Sequence, residues 1–316
     1  LHKRRVVASI FRALFALDAL LARERPTALG VASGDYVLAH VAGEVARREG
    51  LRSAESAVST RPPVWTRAEP HVRGHFYALS ALADRMRPGH RAPDHAGPVR
   101  IAAFVHSAFW RPTTHDESYI GLVLAEIAAR SGREGLHLVG LGPRTNFRVR
   151  SWRHRLSEFG DPQASALPFA PVEVYAPRGV LAPSQALWRD RRALRRAILD
   201  CPALRCACVI AGCDMWPLLQ PEWEGVCYLQ FPWSARAMDE AGAALDALRP
   251  AAVVTYAEAG GWGRALVLEA RRRGIPVIGL QHGFIYRHWL NYLHEPDEMQ
   301  PSQANDRDAG FPSPDL

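Results

Sequence analysis

The stretch AAVVTYAEAGGWGRALVLEARRRGIPVIGLQHG, residues 251–283, decides the reading of the fold. Its first part is a short apolar run that ends in a glycine-rich turn. The segment from Gly261 to Gly274 then places apolar residues at helical spacing, and Ile275–Leu280 is a second apolar run. Strand, helix and strand at this spacing form a βαβ unit, whose crossover is right-handed in nearly all sheets.

Working outward, VRIAAFVHSAF (99–109) is a continuous apolar run of the kind that parallel strands show when both faces are covered. ESYIGLVLAEIAARSG (117–132) reads as a helix and LHLVGLG (136–142) as the next strand. APVEVYAP (170–177), CACVIAG (206–212) and VCYLQFP (226–232) read as further strands. Basic SQALWRDRRALRRAILD (184–200) and SARAMDEAGAALDALRP (234–250) read as helices between them. The alternation predicts an α/β fold: a Rossmann-like, doubly wound parallel sheet with strands near 101–106, 136–141, 207–211, 251–256 and 275–280 side by side. Upstream, TALGVAS (27–33) is a short strand, and Asp35 opens a helix that Gly50 closes with a left-handed cap. The expected organisation is an N-terminal helix and α/β segment (1–98), a Rossmann-like domain (99–298) and a tail (299–316). The Pro- and Gly-rich stretches 87–98 and 300–316 are expected to pack poorly, since neither carries enough apolar surface to offset its ordering entropy. The chain begins with Leu and ends without a second set of βα units, so the expectation is a piece of a longer protein with a further C-terminal domain.

Composition narrows the function classes. Lys and Arg number 39 against 32 Asp and Glu, a net charge of +7, and nearly all of the basic residues are arginine. Arginine forks suit phosphate and carboxylate, which favours an anionic substrate. No basic run is interleaved with aromatics as in a nucleic-acid module, so a nucleic-acid partner is not expected. Three of the five cysteines crowd CPALRCAC (201–208), which has neither a CxxC pair nor a histidine cluster; no metal site is expected and free thiols are. Val7, Ile10, Phe11, Leu14, Leu17 and Leu21 fall at helical spacing behind a basic head. Arg12 and Asp18 interrupt that run and no cleavage site follows, so it is an amphipathic helix and not a signal peptide. Such a helix packs on its own domain or, through residues 1–23, rests on an anionic membrane surface. No stretch approaches the roughly 20 apolar residues needed to cross a bilayer.

The candidate site residues fall at strand ends, where ligands bind in open α/β sheets. After the strand near 251–256 come Glu258, Gly260, Gly261, Gly263 and Arg264. The glycines permit close backbone approach, the helix start favours an anion, and Arg264 adds charge. The pattern is neither GxGxxG nor a P-loop. After the next strand come Gln281, His282 and Gly283; a histidine there, with an unperturbed pKa of about 6.5, suits general-base work on a hydroxyl. His106, Glu117 and Ser118 belong to the same rim if their strands are parallel, and Arg144 follows the strand near 136–141. Trp110, Trp216, Trp233 and Trp262 are candidates for stacking on rings, against the commoner fate of burial.

A strand ending in Gly279-x-Gln281-His282-Gly283 after a βα unit with a small-residue turn resembles the N-terminal domains of GT-B-fold enzymes. These include capsule and surface-polysaccharide glycosyltransferases and the polymerases that transfer glycerol phosphate. The resemblance covers about residues 250–285, with looser likeness from about 99 onward. It implies transfer of a sugar, or of a sugar or polyol phosphate, from a nucleotide-activated donor to a glycan acceptor in bacterial surface-polysaccharide synthesis. It implies no cofactor and no obligatory metal. His282 or Glu258 would be the base, the donor would bind mainly to the C-terminal domain, and the location would be cytoplasmic or peripheral at the inner membrane face. UDP-N-acetylglucosamine 2-epimerases share the fold but carry a His-x-Glu-Ala-Gly motif; no Glu follows His282, which counts against epimerase chemistry. An epimerase or hydrolase of nucleotide sugars, and a non-catalytic carbohydrate- or partner-binding domain, are the alternatives.

Overall fold

A computed structural model describes residues 5–32, 34–53, 60–86, 99–106, 109–111, 116–132, 135–141, 169–176, 179, 181–256, 260–281 and 313–316. The helices are α1 (Arg5–Glu24), α2 (Tyr36–Arg48), α3 (Val64–Met86), α4 (Gly121–Ser131), α5 (Ala182–Leu199), α6 (Pro202–Ala207), α7 (Trp216–Gly225), α8 (Phe231–Leu248) and α9 (Gly261–Arg272). The principal sheet contains β1 (Ile101–His106), β2 (Leu136–Leu141), β3 (Phe169–Pro171), β4 (Ala252–Thr255) and β5 (Val277–Gly279). The chain divides into two compact units, 1–74 with 188–232, and 75–187 with 233–316. It crosses between them three times, so the linear segments 1–98 and 99–298 do not coincide with these units.

The second unit holds the sheet, in the order β5-β4-β1-β2-β3 with every neighbouring pair parallel. The expected parallel α/β architecture is borne out, with four of the five expected strands in it. Alternation along the strands explains why both faces are covered. Ala102, Phe104, Val139 and Val253 face a cluster built with Ala241, Leu245 and Leu248 of α8 and Leu266 and Ala270 of α9. Ala103, Val105, Leu138 and Val254 face the opposite cluster with Leu124 and Ala128 of α4. All six residues of β2 are buried, which is why its sequence lacks a polar alternation. The chain runs β1 to β2 to β3 in one direction, then returns to the other side of β1 for β4 and β5. A switch point therefore lies between the carboxyl ends of β1 and β4.

Of APVEVYAP only the start is strand, in β3; Val172–Tyr175 is a 3-10 turn, after a proline that has no N–H for the ladder. Three further expectations fail here. CACVIAG is not a sheet strand: α6 takes it to Ala207, and Val209–Ile210 pairs antiparallel only with Cys213–Asp214, in the other unit. VCYLQFP is helical, a π turn over Val226–Gln230 that joins α7 to α8. Short apolar runs carry no period that separates strand from helix, and in both places tertiary packing decided. The third concerns the tail. Residues 300–312, like the stretch 87–98, lie outside the described residues, but Ser313–Leu316 docks on the outer edge of β5. Gly279 N donates to Leu316 O at 2.8 Å, Asp315 N to Val277 O at 2.9 Å, and Val277 N to the Asp315 carboxylate at 2.8 Å. An edge strand's unpaired backbone groups are thereby satisfied.

In the first unit α1 and α2 pack together as the amphipathic pattern requires. Ile10, Leu14 and Leu17 meet Val37, Val41 and Val45, along with Met215 and Leu218 from α7 and its approach. The Asp35 carboxylate accepts from Val37 N at 2.8 Å and Leu38 N at 3.3 Å, the expected N-cap. Gly50, at φ +66°, lets Leu51 N reach Ala46 O at 2.8 Å and closes α2 as expected. TALGVAS contributes only Ala28–Leu29, parallel to Arg52–Ser53. Among the described residues, no helix is long and apolar enough to cross a membrane.

Candidate functional site

The site grows from the carboxyl end of β1. The register pairs Thr255 with Phe104, so Tyr256 stands one step beyond, level with the end of β1. His106 N donates to Tyr256 Oη at 3.1 Å, joining residues 150 positions apart. Thr255 Oγ1 donates to Phe104 O at 3.1 Å one step below. Tyr256 is almost fully buried, and a buried hydroxyl without a partner would cost about 1–3 kcal/mol. The hydrogen bond therefore helps to tie β4 to β1 at the switch point. Burial, and after it the negative charge of Glu117, raises the Tyr256 phenol well above its ordinary pKa. Tyr256 is thus a neutral phenol at every physiological pH, unsuited to act as a base. Burial lowers the pKa of His106, which holds its imidazole neutral at pH 7.

Glu117 is buried just before α4. Its Oε2 accepts from Tyr119 N at 2.8 Å and from Ile120 N at 2.6 Å. These bonds satisfy an oxygen that burial would otherwise leave without a partner. Glu117 thus holds the turn that leads into α4, whose N-cap, Ile120, makes no side-chain capping bond. Ser118 instead donates twice to Phe109 O, through Oγ at 2.7 Å and N at 3.1 Å. The antiparallel pair Trp110–Arg111 and Asp116–Glu117 brings Phe109 and Ser118 side by side. Four rings then meet in sequence: His106 with Phe109 at 5.2 Å, Phe109 with Tyr119 at 4.8 Å, and Tyr119 with Tyr256 at 5.8 Å.

Of the residues expected from sequence, His106, Glu117 and Ser118 come together at this switch point. Gly260 and Gly261 follow β4: Gly260 is the extended N-cap of α9 with no side-chain capping bond, and a Cβ at Gly261 would point into open space. Gly263 is buried within the first turn of α9 and Arg264 follows it, its backbone N bonded to Gly260 O at 2.9 Å. Gln281 is exposed two residues past β5, where Leu280 N donates to Thr255 O at 2.7 Å and holds the two strand ends together. Glu258, His282, Gly283 and Arg144 lie outside the described residues. Trp262 packs partly buried against the cluster under α9, and Trp216 packs against the other unit's core, the structural fate of the residue type. Among the described residues no group of His, Cys, Asp or Glu is placed to hold a metal ion.

Tyr256, Phe109 and Tyr119 carry no motif and were not singled out by sequence. The one signal was a tyrosine immediately after an apolar strand, a place where a polar tip meets the sheet rim. Comparison with family models, curated proteins and solved structures returns no match. The reading of this site therefore rests on its own geometry and on the motif at residues 279–283.

Proposed function

We propose that this chain is the Rossmann-like N-terminal half of a GT-B-type glycosyltransferase of bacterial surface-polysaccharide synthesis. It would pass a sugar, or a sugar or polyol phosphate, from a nucleotide-activated donor to a glycan acceptor. The observation that carries the reading is the switch point. There the carboxyl ends of β1 and β4 gather a neutral imidazole, a buried phenol and a buried glutamate, and α9 is the next helix after β4. A strand order that reverses between β1 and β4 is the arrangement in which such sheets bind substrates. The Gln281-His282-Gly283 motif begins two residues past β5, the next strand along.

In this reading His282, or Glu258 in its place, accepts the proton of the attacking acceptor hydroxyl. The uncapped first turn of α9 presents backbone N–H groups toward negative charge. No cofactor is required, and the nucleotide is held mainly by a C-terminal domain of the same chain. The location is cytoplasmic, and the exposed Phe11 and Phe15 on α1 suit a peripheral contact with the inner membrane face.

The test is transfer itself. Full-length protein is incubated with UDP-, CDP- and GDP-sugars and a lipid-free glycan mixture, and nucleotide release is followed with and without acceptor. Acceptor-dependent release that falls about 10²–10⁴-fold on His282→Ala supports the reading. Release of free UDP with an altered sugar, independent of acceptor, would replace it with the epimerase or hydrolase alternative. No turnover and no binding of any donor would remove the enzymatic reading altogether.

A further inference from the structure

We propose that Phe109 and Tyr119 form a stacking corner for a pyranose ring of the acceptor, at the mouth of the switch-point site. The proposal rests on the glycosyl-transfer reading and names the part of the substrate that this half of the molecule holds.

Phe109 and Tyr119 are 38% and 49% exposed. Their rings contact each other edge to face, at 4.8 Å and 71°. Hydrogen bonds with neighbouring residues fix the backbone of both. Ser118 donates two hydrogen bonds to the Phe109 carbonyl, and Glu117 accepts from the Tyr119 amide. With the backbones fixed by buried Glu117 and half-exposed Ser118, a ligand that covers the two rings has less to order. At the base of the corner stand His106, 5.2 Å from the Phe109 ring, and Tyr256, 5.8 Å from the Tyr119 ring.

This arrangement discriminates between kinds of ring. A flat nucleobase is best held in a slot between two parallel faces, and rings inclined at 71° make no slot. A pyranose offers one C–H face to an aromatic face, whose quadrupole attracts the partly positive hydrogens, and directs its hydroxyls sideways. The His106 imidazole, 5.2 Å from the Phe109 ring, is the polar group nearest to hand for such hydroxyls. Apolar and aromatic lining with a few convergent polar groups is the general character of small-ligand sites.

The experiment uses the full chain with methyl β-D-glucopyranoside and methyl β-D-galactopyranoside as probes, and UDP as a control, in saturation-transfer NMR. We expect saturation of the pyranose H1, H3 and H5 protons. Affinity should fall about 10-fold in Phe109→Ala and in Tyr119→Ala, and recover in Phe109→Trp and Tyr119→Phe. Thermal melts identify any alanine variant that fails to fold, in which case the comparison passes to Phe109→Leu and Tyr119→Leu. Glycoside binding that survives loss of both rings overturns the corner and leaves glycosyl transfer standing, as does transfer activity without glycoside binding. Saturation of the uracil protons of UDP, lost on Phe109→Ala, overturns it in favour of base stacking. Absence of both glycoside binding and transfer overturns the corner and the glycosyl-transfer reading together.

Discussion

His106 illustrates how one residue acquires chemistry from its place. In an open chain its imidazole titrates at its ordinary 6.5, and at the end of β1 burial lowers that value. On acidification the unfolded chain therefore takes up a proton that the folded chain refuses. The associated stability is fully present above about 6.5 and is lost as pH falls from there toward the lowered folded value. Wild-type protein should lose more stability between pH 7.5 and 5.5 than His106→Gln does, measured as the shift in urea midpoint. Equal slopes in the two proteins would show that His106 is hydrated and titrates normally. Tyr256 was less legible than His106, because nothing in a local sequence indicates that a tyrosine will meet a backbone N–H 150 residues away.

Among the elements, β5 depends on a partner that sequence periodicity did not indicate. Four residues at 313–316 have no strand pattern, yet their backbone completes the edge of β5. The fit is close: a Cβ on Gly279 would lie 2.6 Å from Pro314 Cγ and 3.1 Å from its Cβ. Gly279→Val should therefore displace Ser313–Leu316 and cost about 1–3 kcal/mol, as overpacking does. Amide exchange at Val277 and Gly279 should accelerate, and Pro314→Ala should restore part of the protection in a Gly279→Ala background. Exchange unchanged in Gly279→Val would mean that the tail shifts without releasing the edge. The two apolar runs that did not become sheet strands share one cause. In CACVIAG and VCYLQFP the residue types favour strands, but strand propensity is a statement about neighbours. Those neighbours turned out to be a two-residue hairpin partner and a helix–helix junction.

At the scale of the molecule, the first unit takes its core from distant parts of the chain. Ile10, Leu14, Val41 and Val45 pack with Cys208, Cys213, Met215 and Leu218. A fragment of residues 1–98 should therefore lack a cooperative thermal transition, while 1–74 joined by a flexible linker to 188–232 should regain one. Far-UV circular dichroism melts decide between them. A sharp transition in 1–98 alone would show that α1 and α2 suffice, and that residues 208–219 add only a lid.

The sequence by itself determined the local pieces. The apolar runs at 101–106, 136–141, 252–255 and 277–279 became strands where βα alternation around them left each a covered place in one sheet. Asp35 and Gly50 became caps because a cap is settled within one turn of helix. Only the tertiary structure decided which strand lies beside which, and so which strand ends share a rim. That choice brought His106, Glu117, Phe109, Tyr119 and Tyr256 together. It also drew residues 188–232 back to the first unit. Neighbouring strands are selected by burial summed over the whole sheet and by loop closure across a hundred residues or more, and no window of local sequence carries that sum.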